Sequence, residues 1–223
     1  MLGERVEVVG AGRTDAGVHA SGQVISFRSG TRLPEATIER GVNALLPADV
    51  AVSEVSEVDD GFHARFSATG RTYNYMIWNG PRPRPLLRRT AWWVPEPLDL
   101  TVLRRAATAL IGTRDFSSFA MKGVGSRERT VRSATWTDRD GVLVFDIAAD
   151  GFLRGMVRGI VGTQVRAGRR KIEPEAFEAI VAAADRDRGG PSAPAHGLCL
   201  VAVSYAGERY DRRPSRGGDE EDE

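Results

Sequence analysis

Apolar positions recur along the chain at two spacings, which predict a mixture of strands and helices. Alternating or short continuous apolar runs predict strands at residues 5–10, 22–28, 50–58, 90–94, 131–137, 142–148 and 196–205. Apolar residues three and four positions apart predict helices at residues 34–46, 98–111 and 174–184, and a helix that begins within residues 152–162. The turn Asp138-Arg139-Asp140-Gly141 separates two of these strands, which indicates a β-hairpin.

A glycine-rich segment connects the first two predicted strands. Residues 10–19 read Gly-Ala-Gly-Arg-Thr-Asp-Ala-Gly-Val-His. Its glycines allow a ligand to approach the backbone closely. Arg13 and Asp15 point the same way if the backbone is extended, so that the cation can keep the carboxylate ionised as a nucleophile must be. Thr-Asp-Ala-Gly is also ordinary turn chemistry, and from the residues alone both readings stay open.

The same segment does not fit the common phosphate-binding motifs. It lacks the Gly-Lys-Ser/Thr ending of a phosphate loop. After Gly10 and Gly12, the third glycine of a dinucleotide fingerprint is replaced by Asp15. Neither nucleotide-binding class is therefore indicated.

Three basic segments are candidates for contact with RNA. Residues 62–75 interleave aromatic side chains with Arg65 and Arg71, a mixture that can stack on a base and neutralise phosphate, although a half-buried strand with two solvated arginines fits equally well. Residues 79–89 contain three prolines and four arginines, so they form a basic loop, facing either phosphate or plain solvent. Residues 122–130 form another basic loop with two glycines.

The predicted helix that begins within residues 152–162 combines glycines with two arginines. Gly155, Gly159 and Gly162 make a smooth face that suits close packing against a neighbouring element. Arg154 and Arg158 interrupt this segment, and an unpaired arginine is costly to bury. Both arginines therefore either have a partner or lie at the solvent edge.

These segments resemble the signatures of the TruA family of tRNA pseudouridine synthases, and the resemblance covers residues 5–205. Residues 12–20, Gly-Arg-Thr-Asp-Ala-Gly-Val-His-Ala, followed by Gly-Gln-Val, resemble the catalytic signature. Arg-x-Tyr-x-Tyr at residues 71–75 resembles the second motif, and Met-Val-Arg-x-Ile-Val-Gly at residues 156–162 resembles the third. Ala-x-Gly-Leu at residues 195–198 is similar to the family element that borders the uracil pocket.

The resemblance implies roles for individual residues. Asp15 is implied as the carboxylate that attacks, or deprotonates, the ribose or base. Arg158 is implied to hold Asp15 ionised, Arg13 to help occupy the gap left by a flipped nucleotide, and Tyr73 to stack on the uracil and help remove its C5 proton. The remaining implied contacts are with the substrate, and they are made by Thr14, His19, Arg65, Arg71 and Leu198.

The family also implies a fold. We expect an α+β protein of two ferredoxin-like halves whose sheets meet at a central basic cleft, with Asp15 at its base. The halves are expected at residues 1–62 and 63–209, followed by an acidic disordered tail at 210–223. Family members normally carry a strand with Tyr-Asp-Gly-Thr/Ser and a helix ahead of the residues matched here, so the first half is expected to be truncated.

The function implied is isomerisation of uridine to pseudouridine at nucleotides 38, 39 and 40 of the tRNA anticodon stem-loop, by a homodimer that needs no cofactor. The alternative is a non-catalytic RNA-binding protein left by the truncation. A hydrolase that uses Asp15 as general base is disfavoured, because no second carboxylate or metal set partners Asp15 in the sequence.

Composition agrees with a nucleic-acid partner without requiring one. The formal net charge is +1, but the last five residues are all acidic, and without them the chain has 31 basic and 25 acidic side chains. All but two of the basic residues are arginines, which suit phosphate, although GC-rich codon usage also explains them. One cysteine and three histidines offer no disulfide or metal spacing, and no apolar run could span a membrane. We therefore expect a cytoplasmic protein.

Overall fold

The structure is a computed structural model, and it describes residues 2–123, 125–173, 175–206 and 208–211. The strands are β1 (Val9–Gly10), β2 (His19–Ala20), β3 (Ile25–Ser26), β4 (Ala68–Trp78), β5 (Trp92–Trp93), β6 (Gly112–Asp115), β7 (Glu128–Arg139), β8 (Val142–Ala149), β9 (Leu198–Tyr205) and β10 (Glu208–Asp211). The α-helices are α1 (Glu35–Asn43), α2 (Leu100–Thr108), α3 (Met156–Gly168) and α4 (Ala176–Ala183). Short 3₁₀ turns lie at Pro85–Leu87, Ser117–Phe119, Arg186–Arg188 and Ala195–Gly197. The protein is therefore of mixed α+β class.

The chain divides into two compact units. The first comprises residues 1–12 and 24–67, and the second comprises residues 13–23 and 68–223. The predicted division lay between residues 62 and 63, with the Asp15 loop in the N-terminal half. In the structure residues 13–23 group with the second unit, because β2 pairs in parallel with β9 through His19 and Ala20.

The first unit contains a two-stranded antiparallel sheet, β1 with β3, and helix α1. Helix α1 lies within the predicted range 34–46, with Pro34 at its N-cap rather than in its first turn, and Ile38 is buried. The strand predicted at residues 50–58 is wrong, since those residues adopt no strand. The side-chain amide of Asn43 binds both the N–H and the C=O of Val52, each at 2.7 Å, and so takes the groups that a neighbouring strand would bind.

The described part of the second unit is built on an eight-stranded sheet. Its order is β10-β9-β4-β8-β7-β6, with β2 on β9 and β5 on β4. The predicted hairpin is confirmed as β7 and β8, and Asp140 and Gly141 between them both have positive φ. The segment 68–78 forms the long central strand β4, which pairs with β8 and β9.

The end of the sheet reaches the segment predicted as a disordered tail. The backbone of residues 210 and 211 belongs to β10, which pairs with β9. The rest of that predicted tail, residues 212–223, lies outside the described residues. No helix in the described ranges is long and apolar enough to cross a bilayer.

Two glycines of α3 bring its backbone against other segments of the second unit. A Cβ at Gly159 would lie 2.1 Å from the carbonyl oxygen of Phe119, and one at Gly162 would lie 1.8 Å from that of Pro191. Gly155 instead caps the helix with φ +72°. The predicted close packing is therefore confirmed at Gly159 and Gly162, where the neighbours are backbone atoms that cannot rotate away.

We expect Gly162→Ala to lower the free energy of unfolding by about 2 kcal/mol or more, because overpacking against backbone exceeds the roughly 1 kcal/mol that alanine gains in helix propensity. Urea unfolding followed by circular dichroism measures the change. Gly151→Ala is the matched control, since its Cβ would meet only Arg129 side-chain atoms at 3.5 and 3.7 Å. Equal stabilities of the two variants would contradict the close contact at Gly162.

Candidate active site

The loop that carries Asp15 is held by a turn and by β9. The N–H of Val18 donates to the carbonyl oxygen of Asp15 at 3.1 Å, and Gly17 between them has φ +81°. The N–H groups of Ser21 and Gly22 both donate to the carbonyl oxygen of Leu200, at 2.9 and 3.1 Å. The turn chemistry read from the sequence is therefore present, and it fixes the backbone on which the Asp15 carboxylate stands.

Arg158, on the first turns of α3, forms an ion pair with Asp15. Its Nη1 donates to Asp15 Oδ2 at 2.8 Å, and its Nε donates to the carbonyl oxygen of Ala193 at 2.7 Å. The N–H of Ala193 in turn donates to the carbonyl oxygen of Arg158 at 2.9 Å. The two charged side chains are 23% and 25% exposed, so water screens the pair less than it would a surface pair.

A second arginine lies near the other carboxylate oxygen. Arg154 Nε is 3.9 Å from Asp15 Oδ1, and the arginine side chain is 74% exposed. At this distance and exposure the contact is a weak surface attraction. Of the two arginines that the sequence placed in this segment, Arg158 therefore has a close partner and Arg154 lies at the solvent edge.

Tyr73 lies in the middle of β4, between Ile147 of β8 and Leu200 of β9. The pairing of β4 with β9 shifts register between Thr72 and Tyr73, an irregularity that often redirects a side chain next to a functional site. Tyr73 is 8% exposed, and its ring packs against that of Phe152 in a T-shaped arrangement with the centroids 5.1 Å apart.

The electrostatic environment keeps the Tyr73 phenol neutral. Burial raises the pKa of Tyr73 to about 12; the positive charge of Arg71 acts in the opposite direction, and the negative charge of Asp15 adds to the rise. The tyrosine next but one along the strand, Tyr75, has its pKa raised by burial as well, and its hydroxyl donates to the carbonyl oxygen of Pro194 at 2.8 Å.

Two predicted site residues are attached to backbone by their side chains. His19 Nε2 donates to the carbonyl oxygen of Arg89 at 2.6 Å. Arg71 Nη1 lies 3.3 and 3.2 Å from the carbonyl oxygens of Ala68 and Asp150. Both side chains are therefore held in place within the second unit.

The other predicted site residues differ in their surroundings. Arg13 and Thr14 are exposed in the Asp15 loop, and within the described ranges no ion pair joins Arg13 to Asp15. Leu198 is buried at the start of β9. Arg65 belongs to the first unit, where its guanidinium lies 5.4 Å from the centroid of the Phe66 ring. The structure thus places Asp15 in contact with Arg158, and close enough to Tyr73 for its charge to raise the pKa of that phenol.

Sequence reasoning missed Phe152 and the nearness of Arg154 to Asp15. Both residues lie just before α3, inside the segment that was singled out, but a one-dimensional pattern does not show which side chain faces Tyr73 or Asp15. In the part of the chain that the structure describes, no group of three or more His, Cys, Asp or Glu side chains is arranged to hold a metal ion. The site therefore offers two groups for chemistry, the Asp15 carboxylate held by the guanidinium of Arg158 and the neutral phenol of Tyr73.

Comparison with known proteins connects this geometry to a family. The family model for tRNA pseudouridine synthase matches residues 2–67 and 106–206. A tRNA pseudouridine synthase A from Moorella thermoacetica is 47% identical over 207 residues, which are 92% of this chain and 84% of the relative. Proteins of the same name from Acetivibrio thermocellus and Bacillus subtilis are 41% and 42% identical, over 92% and 91% of this chain and 85% and 83% of the relatives. The chain therefore belongs to the tRNA pseudouridine synthase family.

Proposed function

We propose that this chain is an isomerase that converts uridine to pseudouridine in tRNA, and that Asp15 is the carboxylate on which the reaction depends. The single observation that carries the role of Asp15 is its 2.8 Å hydrogen bond with Arg158 in a partly buried site. In the reaction the bond from C1′ of the ribose to N1 of uracil breaks and a bond from C1′ to C5 forms. N1 gains a proton and C5 loses one, so substrate and product are isomers.

Each neighbour of Asp15 has a proposed task. Arg158 keeps Asp15 ionised and oriented for attack on, or deprotonation of, the ribose or base. Tyr73 stacks on the uracil and helps to remove the C5 proton. A tyrosine with an ordinary pKa is already neutral near pH 7, and burial raises the pKa of Tyr73 further, to about 12. The exposed Arg13 occupies the gap left by the flipped nucleotide.

The finer features of the proposal follow the family. We propose that the target nucleotides are 38, 39 and 40 of the anticodon stem-loop, that the enzyme is a cytoplasmic homodimer, and that its fold consists of two ferredoxin-like halves. Thr14, Arg65 and Leu198 are proposed substrate contacts. The non-catalytic RNA-binding alternative is not favoured, because family members are named as synthases and Asp15 keeps its arginine partner.

We expect Asp15→Asn to abolish pseudouridine formation, with a loss of about 10³-fold or more, because the amide is neither a nucleophile nor a base. Its affinity for tRNA should stay within about threefold of wild type, because no phosphate-binding cation is removed. Carbodiimide-blocked primer extension on tRNA from cells lacking their own enzyme measures the product. Wild-type stops at nucleotides 38–40 that persist in Asp15→Asn would overturn the role of Asp15.

Arg158→Gln and Arg154→Gln form a matched pair, because each removes one cation near Asp15. We expect Arg158→Gln to slow single-turnover product formation by about 10²-fold or more, because the loss leaves a partly buried carboxylate without its hydrogen-bonded partner. Arg154→Gln should change the rate by less than about fivefold, as for an exposed pair. Equal losses in the two variants would show that the nearby charge matters and the hydrogen bond does not.

Tyr73→Phe tests the neutral phenol by titration. Absorbance at 295 nm should show that wild type has one more tyrosinate transition near pH 12 than the variant. Since folding raises this pKa above that of the unfolded chain, the phenol favours folding below about pH 10. This contribution, about 2–3 kcal/mol at most, is lost as pH rises through 12. A Tyr73 transition near pH 10 in the folded protein would contradict the burial.

A further inference from the structure

The segment between β4 and β5 is a basic, proline-rich loop that the proposed chemistry does not use. Residues 80–91, here called the proline–arginine loop, read Gly-Pro-Arg-Pro-Arg-Pro-Leu-Leu-Arg-Arg-Thr-Ala. All four arginines of the loop are exposed. Leu86, in the 3₁₀ turn Pro85–Leu87 between them, is 93% exposed. An apolar side chain presented almost completely to water among four cations has no role in the packing of this chain.

The proline–arginine loop is held in one shape by the two tryptophans at its ends. Trp78 Nε1 donates to the carbonyl oxygen of Arg82 at 2.7 Å, and Trp93 Nε1 donates to that of Gly80 at 2.8 Å. The guanidinium of Arg84 lies 3.6 Å from the centroid of the Trp78 ring. Three prolines restrict the backbone further. A loop ordered in advance loses little conformational entropy when it binds a partner.

Two histidines from segments of the candidate active site bind the C-terminal end of the proline–arginine loop. His19, four residues after Asp15, donates from Nε2 to the carbonyl oxygen of Arg89 at 2.6 Å. His196, two residues before Leu198, donates from Nε2 to the carbonyl oxygen of Ala91 at 3.2 Å. The backbone at Arg89 is therefore held by a residue of the segment that carries Asp15.

The charge of the proline–arginine loop is of one sign. Residues 80–91 contain four arginines and no aspartate or glutamate. Throughout the described ranges, no carboxylate forms an ion pair with Arg82, Arg84, Arg88 or Arg89. An uncompensated set of guanidinium groups around an exposed apolar side chain is complementary to a nucleic-acid strand, whose phosphates alternate with apolar ribose and base faces.

We propose that the proline–arginine loop is an RNA-contacting element that binds the tRNA strand next to the target uridine. Arg82 and Arg89 bind phosphates, and Leu86 packs against the face of a ribose or base. Arg84 and Arg88 help to hold the loop, through the Trp78 ring and through the bond from Arg88 Nη1 to the carbonyl oxygen of Pro85 at 3.2 Å. This inference rests on the proposed function, and it adds a surface outside the site around Asp15.

Two variants separate the charged from the apolar contribution, and both replace exposed side chains. The full chain carrying Arg82→Gln with Arg89→Gln should bind tRNA about tenfold more weakly at about 0.1 M salt, and the slope of log affinity against log salt should fall by about 1–2. Leu86→Ser should weaken binding about three- to tenfold with no change in that slope, because it removes no charge. Filter binding over a salt series measures both effects, and thermal unfolding checks the fold.

The matched control is Arg40→Gln with Lys171→Gln, which removes the same charge from exposed positions on α1 and after α3. It should weaken binding by less than about twofold. Equal weakening by the control and the charge variant of the loop would overturn the inference. Wild-type affinity in both loop variants would also overturn it, and would point to an acidic protein as the partner of the loop. If wild type binds tRNA but makes no pseudouridine, the proposed function fails, and the binding series still decides the role of the loop.

Discussion

The hydrogen-bonded pair of Asp15 and Arg158 is the contact on which the candidate site depends. A carboxylate that is only 25% exposed has lost part of its hydration, and its charged form is destabilised unless a fixed cation faces it. Arg158 meets this need because a second acceptor, the carbonyl oxygen of Ala193, holds its Nε at 2.7 Å. The guanidinium therefore has two anchors, and its direction does not depend on Asp15 alone.

The position of Arg158 follows from two glycines that come after it in α3. Gly159 and Gly162 let the backbone of α3 lie against the carbonyl groups of Phe119 and Pro191. Pro191 is two residues before Ala193, so the segment that rests on Gly162 is the same one that anchors Arg158. Close packing of the helix backbone and orientation of the guanidinium are thus one constraint, and a larger residue at position 162 disturbs both.

The sequence predicted well those features that depend on local chemistry. Asp140-Gly141 marked the β7–β8 hairpin, and Gly159 and Gly162 marked a close-packed helix face. Short strands such as β2 and β6 escaped notice, because two to four residues show no periodicity. The prediction of a strand at residues 50–58 was wrong, because the side-chain amide of Asn43 binds the backbone N–H and C=O of Val52. Alternating apolar positions do not reveal that a nearby side chain takes these backbone groups.

The contacts that make the site are long-range ones, and the residues alone left them open. From the residues alone Arg13, two positions from Asp15, could hold the carboxylate, whereas the family resemblance implied Arg158, which is 143 residues away. The sheet decides between them, since the loop that carries Asp15 bonds to β9 while Arg13 remains exposed. The register shift beside Tyr73 likewise arises from the pairing of two strands that are distant in sequence.

The arginines of the second unit differ in burial, and the partly buried Arg158 suits a different physical task from the exposed arginines of the proline–arginine loop. An attraction that must act on one oxygen needs a partly desolvated, hydrogen-bonded cation, as Arg158 is, because low screening makes the interaction strong. Recognition of a polyanion needs exposed cations that release counterions when they bind, as the arginines of the proline–arginine loop are. His19 joins the two regions, since it follows Asp15 in the chain and bonds to the backbone of Arg89. Salt should therefore screen the exposed arginines of the proline–arginine loop far more than the pair of Asp15 and Arg158.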